Sequence, residues 1–228
     1  MYTSTFFTAV ALLPFALTAP SRLPMPLSHA VRRFPNETSN STTPDTAPSA
    51  PSCDISNLTQ PASALKPPTA DMTLVMIALG QGTQNYTCSG NSSAAPTAIG
   101  ALAQLFDASC ALSSDPTTDT TELGSIEETA GKASIGAHFF VDNTTPDFDI
   151  NGLGNTEAKK SEDANAPNPT KDVKWLRLTS QASQGTTSTV KQVYRLNTVG
   201  GVAPATCAGK AAGEVFTVAY EAQYWIYA

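Results

Sequence analysis

Positive charge, histidine and long apolar runs are all scarce in this sequence, and each shortage removes a class of function. The 228 residues hold 13 Lys and Arg against 19 Asp and Glu, a formal net charge of −6. An acidic chain repels phosphate backbones and anionic membrane surfaces, so no nucleic-acid partner is expected. The two histidines are His29 and His138, and no CxxC pair accompanies them, which removes the usual zinc spacings. Beyond the leader, no apolar run approaches the ~18 residues of a membrane-spanning helix. No segment sustains a helical apolar stripe and no strand–helix–strand alternation is present, so bundles and parallel α/β folds are excluded. G-x-S-x-G, the elbow of serine hydrolases, is missing too.

What is present begins with a leader. Residues 6–17 form an apolar run of about a dozen residues, ending near Ala19, which reads as a signal peptide over 1–19. No Lys or Arg precedes the run, and Pro20 leaves the cleavage point open. The expected destination is extracellular. Six acceptor sequons agree with that route: Asn36, Asn40, Asn57, Asn85, Asn91 and Asn143. Asn85, inside an expected strand, is the weakest acceptor. Four cysteines, Cys53, Cys88, Cys110 and Cys207, make an even count, which an oxidising compartment converts into two disulfides. Spacing alone leaves all three connectivities open.

Residues 20–70 are rich in Ser, Thr, Pro and Asn and poor in large apolar residues. Such a stretch cannot bury enough surface to offset its ordering entropy, and it reads as a flexible stalk or pro-segment. Arg32-Arg33 reads either as a dibasic processing site or as two solvated charges in a loop. From residue 71 to 228 the pattern is that of a single β domain. Short apolar runs at 73–79, 98–106, 133–141, 173–179 and 189–196 are separated by turn chemistry at Gly90-Asn91, Asp115-Pro116, Asn151-Gly152, Asn168-Pro169 and Gly200-Gly201. The last segment is the clearest: Phe216, Val218, Tyr220, Ala222, Tyr224 and Ile226 alternate with Thr217, Ala219, Glu221, Gln223 and Trp225, the period of a strand with one face on a core. The predicted fold class is all-β, an antiparallel sandwich or barrel stapled by disulfides. Residues 142–172 read as a long polar excursion or a binding loop, and residues 122–132 as a short turn of helix.

Five strings now stand in order: GQGTQNYTC at 80–88, GAHFF at 136–140, VKWLRL at 173–178, VYRLNTVGGVAPATC at 193–207 and VAYEAQYWIY at 218–227. Together they resemble the domain-of-unknown-function family 3455, small secreted proteins of fungi and bacteria, over roughly residues 71–228. The resemblance implies an extracellular β-rich domain with no established activity, although some fungal relatives carry a malate dehydrogenase label. Cys88 and Cys207 match the positions of two-cysteine relatives, which implies a Cys88–Cys207 bridge and leaves Cys53 for Cys110. The chain departs from the family pattern with a Thr- and Glu-rich insertion over 108–132 and by lacking a tryptophan just after Gly136-Ala137-His138.

The candidate chemistry is thin. A dinucleotide site needs G-x-G-x-x-G opening a helix, but Asn85 stands at the third glycine and the residues that follow read as strand. No cofactor is expected, and the two glycines read as a turn or bulge that ends the first strand. His138 with Asp142, Asp147 or Asp149 forms a conceivable acid–base pair for a small extracellular hydrolase or carbohydrate-active enzyme, against the commoner case of a hydrogen-bonded structural histidine. Asp142, Asn143, Asp147, Asp149 and Asn151 supply oxygens of the kind calcium takes, but the closing glutamate of a calcium loop is missing, and a solvated polar loop with no metal is the favoured reading. Trp225 falls on the face opposite the expected core, where an exposed indole beside Glu221 and Gln223 would contact a cell-wall polysaccharide or another extracellular protein. The leading expectation is a non-catalytic surface, cell-wall or host-interaction protein. All four cysteines of the folded part are expected to be bridged. Intact mass after alkylation under non-reducing conditions should show no added label, and more than trace labelling would contradict the bridges.

Overall fold

The computed structural model describes residues 53–124, 133–182 and 184–228; the leader, Arg32-Arg33, Asn36 and Asn40 lie outside the described residues. Eight strands run in sequence order: β1 (Leu74–Thr87), β2 (Thr97–Asp107), β3 (Gly136–Phe140), β4 (Pro146–Ile150), β5 (Gly154–Ala164), β6 (Trp175–Ser180), β7 (Gln192–Gly200) and β8 (Val215–Tyr227). Each pairs antiparallel with the next, and β8 returns to β1, so the sheet closes into an up-and-down barrel. Closure satisfies every strand edge and removes the template for edge-to-edge association. Two short helices, α1 (Ser109–Ser114) and α2 (Thr120–Leu123), follow β2. α2 overlaps the turn of helix expected over 122–132 only at Glu122 and Leu123; residues 125–132 lie outside the described residues.

Two expectations are corrected. The polar stretch 142–172 is not one loop but contains β4 and β5. β5 reads GNTEAKKSEDA; Lys159, Lys160 and Ser161 are exposed, while Thr156 and Ala158 are buried, so only its N-terminal half carries a core signal. Gly80-Gln81-Gly82 does not end the first strand either. β1 continues through it, with Gly80 opposite Leu105 and Gly82 opposite Ala103. The glycines answer to space. A Cβ on Gly80 would meet the Tyr224 ring at 2.4 Å, and one on Gly82 would meet the Leu102 carbonyl oxygen at 1.9 Å.

Strand alternation sorts the buried side chains into two clusters. Met76, Ala78, Leu105, Phe148, Ile150, Leu178, Val193, Ala222, Tyr224 and Ile226 fill the barrel interior. Ile77, Leu79, Trp175, Tyr194, Leu196, Trp225 and Tyr227 form a second layer on the outside. That outer layer is covered by Leu65, Leu112 and Leu123, with Leu58 and Met72 packed against it. Residues 53–70, polar by composition, are therefore laid on the barrel: Tyr194 donates its hydroxyl hydrogen to the Lys66 carbonyl at 2.8 Å, and the Lys66 amide donates to Glu162 at 2.9 Å. Cys53 joins Cys110 of α1, which ties this segment down. Cys88 joins Cys207 across 119 residues, linking the β1–β2 loop to the β7–β8 loop at one end of the barrel.

The interior has no room for a side chain at position 80. Gly80→Ala is expected to cost about 1–3 kcal/mol through overpacking against Tyr224. Urea unfolding should show this as a lowered midpoint, and the same Gly80→Ala substitution should cost less when made in a Tyr224→Leu background.

Candidate functional site

In an up-and-down barrel the C-terminal ends of the odd strands and the N-terminal ends of the even strands share one mouth. Here that mouth opens into a cup of about 530 Å³. β1 gives it Gln84 and Tyr86, β2 Ala98 and Gly100, β3 His138 and Phe140, β6 Leu176 and Leu178, β7 Arg195, and β8 Tyr224. The β3–β4 turn contributes Asn143 and Thr144 to the rim, and Lys160 and Lys174 stand there too. Gly100, at φ +125°, lies flat beneath the Phe140 ring, which a Cβ would meet at 2.9 Å.

The floor is aromatic. His138 stacks on Phe148, its register partner, with centroids 4.3 Å apart and planes 10° from parallel. Tyr224 meets both rings at an angle, 5.4 Å from His138 and 5.2 Å from Phe148. Below this layer the interior is solid apolar packing. Above it lies a polar tier. Tyr224 and Tyr220 share a hydrogen bond of 2.8 Å between their hydroxyls, and Tyr86 donates to the Gly201 carbonyl at 2.7 Å. Burial raises the pKa of all three phenols, so they are neutral donors.

Two members of this tier stand out by what they lack. Arg195, only 8% exposed, sits directly opposite Tyr224 in the β7–β8 register. Its Nε and Nη2 donate to the Lys174 carbonyl at 3.2 and 2.9 Å. Among the described residues it makes no ion pair, whereas Arg177 on the outer face holds Glu162 with two donors at 3.1 and 3.0 Å. Gln84, also 8% exposed, lies near the Tyr220 hydroxyl, yet its Nε2 has no hydrogen-bond partner of acceptable geometry. Neither residue carries a motif. The signal that could have found Arg195 is parity: it occupies the same strand face as Val193, where the pattern demands an apolar residue.

The residues singled out in the sequence fare differently. His138 is 2% exposed, and its Nδ1 lies 2.8 Å from the Asp147 main-chain carbonyl. That carbonyl can only accept, so Nδ1 carries the proton and Nε2 is bare. Its neighbours are otherwise rings, and no carboxylate joins it among the described residues. Asp142 lies in the exposed β3–β4 turn, where the amides and hydroxyls of Thr144 and Thr145 donate to its oxygens and hold its pKa at about 2. The structure does not bring the two together. Asp147 and Asp149 point outward from β4; Asp147 is buried with Oδ1 unpartnered, and burial raises its pKa. Among the described residues, no three His, Cys, Asp or Glu side chains converge as a metal would require.

Trp225 corrects the expectation of an exposed platform. It is 3% exposed, and its indole donates to Gln223 at 3.3 Å beneath the outer layer. Of the described sequons, Asn57, Asn91 and Asn143 are exposed, and Asn143 stands at the cup mouth. Asn85 is half-buried on β1, where its side-chain oxygen accepts from Thr83 at 3.0 Å.

Burial drives the His138 pKa down to about 4, and the nearby Arg195 charge pushes it the same way. The unfolded chain takes up this proton near the usual value of about 6.5, and the native state only near 4. Stability is therefore expected to fall as pH drops from 6.5 towards 4, by on the order of 3 kcal/mol from this residue. His138→Gln should flatten that part of the pH profile in urea unfolding, and an unchanged slope would refute the buried neutral imidazole.

A family model described as a protein of unknown function (DUF3455) matches residues 68–228, the span that builds the barrel and the cup. No curated protein and no solved structure matches the chain significantly. With its eight strands, the Cys88–Cys207 staple and every residue that lines the cup inside the matched span, the chain belongs to the DUF3455 family.

Proposed function

We propose that the protein is a secreted, non-catalytic binding barrel that holds a small molecule in the cup between Gln84, Phe140, Leu176 and Arg195. The carrying observation is the cup itself. An eight-stranded barrel is just wide enough to be filled by side chains or to hold one small ligand. This one is filled below the His138–Phe148–Tyr224 layer and open above it. Its volume of about 530 Å³ falls in the range of small-molecule sites, with apolar walls and few polar groups.

Export is supported by the leader, the sequons and the two disulfides, which persist in oxidising compartments. The non-catalytic reading is supported by the surroundings of His138. A base needs a second group to orient it or a nucleophile to activate, and here a main-chain carbonyl and three aromatic rings take those places. A small-molecule ligand also fits an extracellular interaction protein better than a polysaccharide platform, since Trp225 is buried.

The test is occupancy of the cup by a neutral fluorescent probe. N-phenylnaphthylamine should bind wild type at a single site with enhanced fluorescence. Leu176→Trp, which places an indole on a half-buried wall position, should weaken that binding at least about tenfold while far-UV circular dichroism stays unchanged. Equal binding by the two proteins would remove the cup as the site.

A further inference from the structure

Resting on the cup as the binding site, we propose that its ligand is an amphipathic monoanion, an organic carboxylate whose charged end meets Arg195 and Gln84 and whose apolar body lies along Phe140, Leu176 and Leu178.

A guanidinium withdrawn from water normally keeps a carboxylate beside it, because an unpaired buried charge is costly. Arg177 obeys that rule on the outer face of the neighbouring strand, and Arg195 inside does not. Only part of its donor set is used, on the Lys174 carbonyl and against the Tyr224 hydroxyl, both of them uncharged. The second observation is independent of charge. Gln84 Nε2 is a buried donor without a partner, on a side chain that is itself more than nine-tenths buried and lines the same cup. A native protein seldom leaves such a group unsatisfied without a role for it. An acceptor placed in the cup would satisfy both.

Charge accounting sets the valence. Lys160 and Lys174 at the rim share the single carboxylate of Asp163, and both side chains are more than half exposed, so water screens what charge remains on them, whereas Arg195 is buried. Arg195 is the one cationic wall group without a counter-charge among the described residues. A single planar acceptor pair, the carboxylate, matches a guanidinium edge with two parallel hydrogen bonds. Below the polar rim of Asn143, Thr144, Lys160 and Lys174 the rest of the wall is apolar or aromatic, so the body of the ligand is apolar.

Two matched pairs of probes test this by calorimetry on the full mature chain: decanoate against decanol, and naphthoate against naphthalenemethanol. The carboxylate of at least one pair should bind wild type about 10- to 100-fold tighter than its alcohol, the span expected of a charge-assisted hydrogen bond. Arg195→Gln should bring the two affinities within about threefold and leave the alcohol unchanged; Gln84→Leu should weaken the carboxylate several-fold. If Arg195→Gln does not fold, the wild-type ratio and Arg195→Lys decide, since Lys keeps the charge but loses the paired geometry and should retain only part of the preference. Equal binding of acid and alcohol, both abolished by Leu176→Trp, would overturn the carboxylate while leaving the cup intact. No binding of any probe to wild type would remove both readings.

Discussion

Closure of the sheet between β1 and β8 is the constraint on which the rest of the molecule depends. The two strands run together from the Leu74–Tyr227 pair to the Thr87–Val215 pair, with one register irregularity near the start. That seam brings the first and last strands of the fold together, so forming it closes a loop of more than a hundred residues. Its contacts are non-local and carry a large loop-closure cost. The two bridges bear on this. One ties the loop after β1 to the loop before β8, which shortens the search for the seam. The other fixes the segment that covers the seam from outside.

The same closure explains why both faces of β8 are buried near its end. Tyr220, Ala222, Tyr224 and Ile226 point inward, while Trp225 and Tyr227 point outward beneath Leu65, Leu123 and the chain around Met72. Gln223, on the outward face and 1% exposed, is tied off by Asn197, Thr118 and the Trp225 indole. A barrel wall normally faces water on one side. Here the outer layer converts part of the wall into a second core, which supports the Tyr194 hydroxyl and fixes the β7 backbone that carries Arg195.

The fold was legible wherever large apolar residues alternated over a whole strand. β8 showed its period over its whole length, and the antiparallel class followed from turn spacing and the lack of helices. β4 and β5 were not legible because a strand of a narrow barrel needs only a few inward residues: Phe148 and Ile150 in one, Thr156 and Ala158 in the other. Their outward positions are Asp, Lys, Ser and Glu, the composition of a loop. Trp225 was misplaced for the opposite reason, since one alternating strand says which residues share a face but not whether a further layer covers the other face. The glycines at 80 and 82 read as punctuation because glycine usually marks a turn. Nothing in one sequence states that a tyrosine ring from β8 will need the volume at Gly80. The bridge pairing came from family likeness rather than from spacing, and the cup residues lay unmarked because none belongs to a motif.

What distinguishes the cup from a badly packed core is that its polar groups are ordered by the floor beneath them. Phe148 and His138 are register partners and stack face to face, and Tyr224 closes on both at an angle. The Asp147 carbonyl holds the imidazole in one tautomer, and the ring presents a fixed π face to Phe148. Tyr224 then positions its hydroxyl against Tyr220, beside the Arg195 guanidinium. A phenylalanine at 138 could not hydrogen-bond the Asp147 carbonyl. Histidine there makes physical sense as an oriented neutral dipole within a preorganised polar tier. In that arrangement the imidazole is oriented by the same strand pairing that builds the barrel, through its register with Phe148 and its hydrogen bond to the Asp147 carbonyl.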